Sequence, residues 1–125
     1  DNTLLYTDHV LSALIDTLKT TTQFQTGFWY LSDHGESTGE SGMYLHGAPY
    51  AIAPTQQTHI PMLMWFSPEW TAQNSAQITC LAQQKSKQLS QDNLFPSLLS
   101  LLDVKTQTID EQNNMLQNCQ SKQKV

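Results

Sequence analysis

Arginine is missing altogether from the 125 residues, whose six basic side chains are all lysines. The chain therefore lacks a planar guanidinium fork for clamping phosphate, and a bound metal ion would be its main source of concentrated positive charge. Eleven acidic residues against those six leave a formal charge of −5, which argues against a nucleic-acid surface. Long hydrophobic runs are also missing. No stretch approaches the roughly 18 apolar residues of a membrane-spanning helix, and no signal peptide opens the chain. Cysteine is limited to Cys80 and Cys119, too far apart for a metal knuckle or a Cys-x-x-Cys redox pair. No internal repeat or interdomain linker is present, and the only compositional bias is toward glutamine. The length suits one modest core, and so at most one domain.

What is present is ordered along the chain. Leu4, Leu11, Leu14, Ile15 and Leu18 recur at helical spacing, with Asp8, Ser12, Asp16 and Lys19 on the other side. That pattern predicts an amphipathic helix of about 16 residues, on which His9 is a surface histidine. Thr20 to Gln23 break the pattern, and Gly27 precedes the continuous apolar run Phe28-Trp29-Tyr30-Leu31. Such a run suits a strand buried on both faces of a sheet. Ile60 to Phe66 is a second strand of the same kind, with Pro61 tolerable near its start and Ser67-Pro68-Glu69-Trp70 ending it. Between them, Gly35 to Thr58 reads as a long ordered loop, a form that is usually functional in a compact domain. Beyond Trp70 a polar helix is expected around Ile78 to Lys87. Another is expected near Asn93 to Asp103, with Ser90 or Asp92 as N-cap and Pro96 in its opening turn. Leu94, Leu98, Leu101 and Leu102 give that helix an expected buried face. Trp29, Trp65 and Trp70 read as packing residues.

The densest chemistry lies in Ser32-Asp33-His34-Gly35-Glu36-Ser37, with a second histidine, His46, twelve residues after His34. Neighbouring residues inside a strand point to opposite faces, so Asp33 and His34 can share one ion only where the strand has ended and the chain turns. Gly35 permits that turn. The carboxyl end of a strand is also where ligands bind in open α/β sheets. Read without context, the pair is more often a helix cap and a loop histidine.

Ser32 to Tyr50 as a whole resembles the metal motif of phosphoethanolamine lipid A transferases, members of the alkaline-phosphatase/sulfatase-like superfamily. The resemblance continues through Ala53-Pro54-Thr55-Gln56-Gln57-Thr58-His59-Ile60-Pro61-Met62-Leu63-Met64-Trp65 and returns at Gln91-Asp92-Asn93-Leu94-Phe95. It implies an α/β fold, an α/β/α sandwich of the alkaline-phosphatase/sulfatase kind, of which residues 1–125 are the C-terminal portion of a periplasmic catalytic domain. The implied partners are phosphatidylethanolamine, lipid A and the upstream catalytic-domain and transmembrane segments of the same protein, at the periplasmic face of the inner membrane.

The implied activity is zinc-dependent transfer of phosphoethanolamine to lipid A, which lowers the lipid's negative charge and weakens attraction of polymyxins such as colistin. By resemblance, Asp33 and His34 are zinc ligands, while Glu36 and His46 are catalytic residues in the substrate pocket; read alone, Glu36 is as well a plain surface carboxylate and His46 a satisfied core histidine. The other ligands of the family, a glutamate and a nucleophilic threonine, lie in motifs this sequence does not contain. Without them the chain alone is expected to be inactive. His59 reads more simply as making a structural hydrogen bond. Thr38 and Ser41 stand where the family more often has Leu and Asn, and Pro96 stands where a histidine is common. The implied periplasmic location favours a disulfide between Cys80 and Cys119, the alternative being two free thiols. Lys122 and Lys124 could meet anionic lipid or form a soluble tail. A sulfatase or phosphatase of the same superfamily, and a non-catalytic assembly or binding piece, are the alternative readings of function.

Overall fold

The computed structural model describes residues 2–117 and Cys119. Lys122 and Lys124 lie outside the described residues. The chain divides into two compact units, Asp1–Trp70 and Thr71–Val125.

The first unit opens with α1, Asn2–Lys19, slightly longer than its apolar period predicts. Lys19 closes the last turn, where its ammonium suits the helix dipole and pairs with Asp16 at 2.9 Å. No residue of α1 is buried; of its apolar stripe Leu4 and Leu14 are exposed, while Leu11, Ile15 and Leu18 are half-buried. Two strands follow, β1 (Gly27–Leu31) and β4 (Met62–Phe66), paired antiparallel from Gly27↔Phe66 to Leu31↔Met62. Both are where the apolar runs predict strands. Burial on both faces is not observed: Phe28 to Leu31 are half-buried, and Met62 and Leu63 are exposed. A two-stranded ribbon has no neighbouring layer on each face to cover such a run.

The segment between these strands is ordered, and it holds more regular structure than a loop reading allows. β2 (Ser37–Thr38) and β3 (Tyr44–Leu45) form a minimal antiparallel hairpin with Ser37↔Leu45 and Thr38↔Tyr44 in register. A 3₁₀ turn, Glu40–Gly42, closes it, with Gly39 at φ 132° and Gly42 at φ 76°, conformations glycine adopts without strain. One helical turn, α2 (Thr55–Thr58), comes just before β4. The buried residues described in this unit, Ser37, Gln57 and Ser67, are all polar. Ser67 Oγ accepts the Thr26 and Trp70 amides at 3.4 and 3.3 Å, tying the ends of β1 and β4 to α3 (Pro68–Gln73).

In the second unit α4 spans Ser75–Ala82, earlier and shorter than the expected Ile78 to Lys87. Past Ala82 the backbone tightens, the Gln84 amide bonding the Leu81 carbonyl three residues back at 2.9 Å, and the polar run that follows has no apolar face to bury. A 3₁₀ turn, Gln91–Asn93, leads into α5, Leu94–Leu101. Ser90, one of the two expected caps, caps this turn and not α5 itself, whose N-cap is Asn93: Ser90 Oγ accepts the Asp92 amide at 3.2 Å and Asn93 Oδ1 accepts the Ser90 amide at 2.7 Å, completing a capping box. Pro96 sits in the first turn of α5. The buried face is not the expected leucine stripe. Pro96 and Ser97 are buried, whereas Leu98 and Leu102 are exposed. Ser97 Oγ accepts the Met115 amide at 2.8 Å, so a hydrogen bond and not a leucine seam turns the helix toward the core of this unit. That core is Met115, Leu116 and Cys119. The disulfide expected on the resemblance is present, linking Cys80 to Cys119 with Cα atoms 5.3 Å apart.

Candidate metal centre

β1 ends at Leu31, and the Ser32 amide makes a last cross-strand bond to the Pro61 carbonyl at 3.4 Å. From there the chain bends on its own side chains. Ser32 Oγ donates to the His34 carbonyl at 2.7 Å, and Asp33 Oδ1 accepts the His34 amide at 3.0 Å. Gly35 matters here for space, more than for a permissive turn: its φ is not positive. Its amide donates to the Gln57 carbonyl at 3.0 Å, and a Cβ on it would lie 1.9 Å from the Gln56 oxygen. The backbone of α2 is pressed against the turn at this point.

The His34 ring is held by Nδ1 against the Gly35 carbonyl at 2.9 Å, which leaves Nε2 facing Asp33 Oδ2 at 3.8 Å. A backbone carbonyl behind one ring nitrogen is the usual way a metal-binding histidine is oriented through the other. Adjacent donors on a tetrahedral zinc with bonds near 2.1 Å sit about 3.4 Å apart. The pair therefore fits two of the four positions, with both side chains open to solvent. Among the described residues no group of three or more His, Cys, Asp and Glu side chains converges on one point. The pair would supply two of the four donors a tetrahedral zinc needs.

Glu36 and His46 join this pair. The hairpin register dictates it: Ser37 faces Leu45, so the residues just outside that couple, Glu36 and His46, are neighbours. His46 Nδ1 lies 3.4 Å from the Glu36 carboxylate, and its ring lies against that of His34 with centroids 4.1 Å apart and planes tilted by 31°. Leu45 at φ 66° and Gly47 at φ 91° flank His46, and a left-handed leucine costs about 1 kcal/mol or more, so something holds this bend in place. All four residues singled out in the sequence thus lie in one row of pairwise contacts, Asp33 to His34, His34 to His46 and His46 to Glu36, without converging on a single point. The row sets two carboxylates beside two imidazoles, groups that can take up and pass on a proton.

Gln57 escaped the sequence reading. It is buried, its Nε2 donates to Ser37 Oγ at 2.9 Å and its Oε1 accepts the Ala48 amide at 3.2 Å. The available signal was its place in the Gln-Thr-His segment, where attention went to His59. That residue caps α2 through its amide, bonded to the Thr55 carbonyl at 2.8 Å, and is itself exposed. At the hairpin tip, Glu40 accepts the Thr38 amide at 2.7 Å and the Thr38 hydroxyl at 3.1 Å. Thr38, a departure from the family's usual Leu, thereby contributes a bond of its own. Hydrogen bonds from the Glu40 and Thr38 amides hold the Glu40 carboxyl below its ordinary pKa.

The chain is 46% identical to phosphoethanolamine transferase EptA of Escherichia coli K12 over 95% of its length, and 42% identical to phosphatidylethanolamine transferase Mcr-2 of Escherichia coli over 83%. It spans only about a fifth of those relatives, 22% and 18% respectively. Among solved structures, the soluble domain of lipooligosaccharide phosphoethanolamine transferase A from Neisseria meningitidis superposes with a TM-score of 0.85 at 42% identity. That match covers 96% of this chain and 36% of that one. The C-terminal periplasmic domain of phosphoethanolamine transferase EptC from Campylobacter jejuni gives 0.80 at 47% identity, covering 92% and 36%. Its homologues are thus phosphoethanolamine transferases, and its α/β architecture is that of their periplasmic domains. The sulfatase family model matches residues 1–104, and the chain belongs to that family.

Proposed function

We propose that the chain is the C-terminal portion of a periplasmic catalytic domain that transfers phosphoethanolamine from phosphatidylethanolamine to lipid A. The observation that carries this reading is the cluster of Asp33, His34, Glu36 and His46 at the end of β1, in a chain whose relatives are named phosphoethanolamine transferases. Asp33 Oδ2 and His34 Nε2 would hold zinc. When bound, zinc supplies charge neutralisation at the phosphoryl oxygens and activates a nucleophile. The chain's own residues do the rest of the work visible here. The Gly35 carbonyl keeps the His34 ring in its orientation. His46, half exposed and braced by Glu36, is placed to hydrogen-bond a phosphoryl oxygen or give it a proton. The Glu36 carboxylate can also accept the ammonium of the ethanolamine head. The nucleophile, the remaining zinc donors and the membrane anchor at the periplasmic face come from residues outside this chain. The modified lipid carries less negative charge and attracts colistin less.

The test is transfer from a fluorescent phosphatidylethanolamine analogue, with bound zinc measured in parallel. The chain joined to its upstream catalytic residues should turn over, and Asp33→Ala or His34→Ala should lose both zinc and turnover. Wild-type zinc content in either variant would remove the ligand assignment. Robust turnover by the chain alone would show that a nucleophile lies within it. The family model's description as a sulfatase keeps a hydrolase in view, and release of free phosphate or sulfate without transfer to lipid A would favour it.

A further inference from the structure

We propose that Gln57 is a positioning residue, its buried carboxamide setting the distance between the arm that carries Glu36 and the arm that carries His46. This rests on the transferase reading above for its kinetic consequence, but not for its geometry. Ser37 follows Glu36 directly, and Ala48 is two residues beyond His46. One planar amide bonds to both, by Nε2 to the Ser37 hydroxyl at 2.9 Å and by Oε1 to the Ala48 amide at 3.2 Å. Ser37 is buried with it.

The contacts in front of this amide have little support of their own. Glu36 and His46 are each about half exposed, at 51% and 54% of their side-chain surface, and the hairpin behind them is two residue pairs long. An isolated hairpin of that size is marginal in water, and Leu45 is strained within it. The amide is the buried polar link that spans both arms. Its chemistry suits the task because a rigid group offering one donor and one acceptor fixes both partners at once.

Backbone and side chain of Gln57 do separate jobs. Its carbonyl accepts the Gly35 amide at 3.0 Å and so buttresses the turn bearing Asp33 and His34. A change of side chain leaves that bond in place. The inference therefore predicts a split: losing the amide should disturb Glu36 and His46 while sparing the two metal ligands.

The experiment uses a catalytic domain containing this chain. Gln57→Met keeps the side-chain length and removes both bonds. We expect kcat to fall roughly 10- to 100-fold, as for a misplacement near 1 Å, with zinc per domain and KM for the lipid donor close to wild type. Ser37→Ala should fall less, and adding it to Gln57→Met should cost little more, since both act through one link. Unchanged kcat, or zinc lost in step with kcat, would overturn the proposal. A crystal structure of Gln57→Met gives a readout independent of turnover. Separation of the His34 and His46 rings beyond 4.1 Å is expected, and an unmoved pair would refute the role. A wild-type domain that transfers nothing would instead sink the transferase reading and leave the structural arm of the test standing.

Discussion

Replacing Gly35 by alanine tests the packing of α2 against the turn that bears Asp33 and His34. The added Cβ would lie 1.9 Å from the Gln56 carbonyl oxygen and 2.9 Å from its carbon, and both are backbone atoms. An ordinary carbon–oxygen contact is about 3.3 Å, so the two segments must part by about 1.4 Å. That displacement stretches the 3.0 Å bond from the Gly35 amide to the Gln57 carbonyl beyond hydrogen-bonding range. Overpacking of this kind costs about 1–3 kcal/mol, and a backbone pair left unsatisfied about 1–3 kcal/mol more. Together they amount to roughly 2–6 kcal/mol, a large share of the ~5–15 kcal/mol stability of a domain. Thermal unfolding of the catalytic domain, with zinc content measured on the same samples, reads both effects. A lowered midpoint and reduced zinc retention are expected, because the turn that moves carries Asp33 and His34. Gly42→Ala is the control. No atom lies within 4 Å of its Cβ, so only the cost of φ 76° applies, about 1–2 kcal/mol. If Gly35→Ala were no more damaging than Gly42→Ala, crowding by α2 would not be what Gly35 is for.

Two further outcomes follow from other parts of the structure. Reducing the Cys80–Cys119 disulfide, which closes a separation of 39 residues, should destabilise the second unit by about 4 kcal/mol on the chain-entropy model. Denaturant unfolding with and without reductant measures this, and zinc content should not change. Glu40 gives a pH dependence of definite sign. Its carboxyl is held below the ordinary value by the amides of Glu40 and Thr38, so its contribution is present above the unfolded glutamate range, around pH ~4, and is lost as pH falls through the lowered folded value. Exchange of the Thr38 amide should quicken in that acid window, and Glu40→Gln should remove the dependence.

What could be read from the sequence was what local rules decide. Ser90 caps because its hydroxyl reaches an amide two residues on, and Pro96 falls in a first turn because that position needs no N–H. The strands at Phe28 and Met62 follow from their apolar runs. Burial did not follow, because it depends on partners far along the chain. Leu98 and Leu102 look like a core stripe, yet Ser97, bonded to the Met115 amide, takes the buried position. The disulfide came from the resemblance and its implied compartment, not from spacing.

The site divides along the same line. Asp33 and His34 are adjacent in sequence, so the strand end alone brings them together. Glu36 and His46 meet only through the register of a hairpin, and one residue of slip would turn His46 to the other face. That register is fixed from behind by Gln57, twenty residues from Ser37 and nine from Ala48, a relation that no periodicity or short motif expresses. A buried glutamine whose two amide atoms both find partners carries no sign of itself in the chain. Its function appears only when the segments it joins are seen to hold the two half-exposed side chains in front of it.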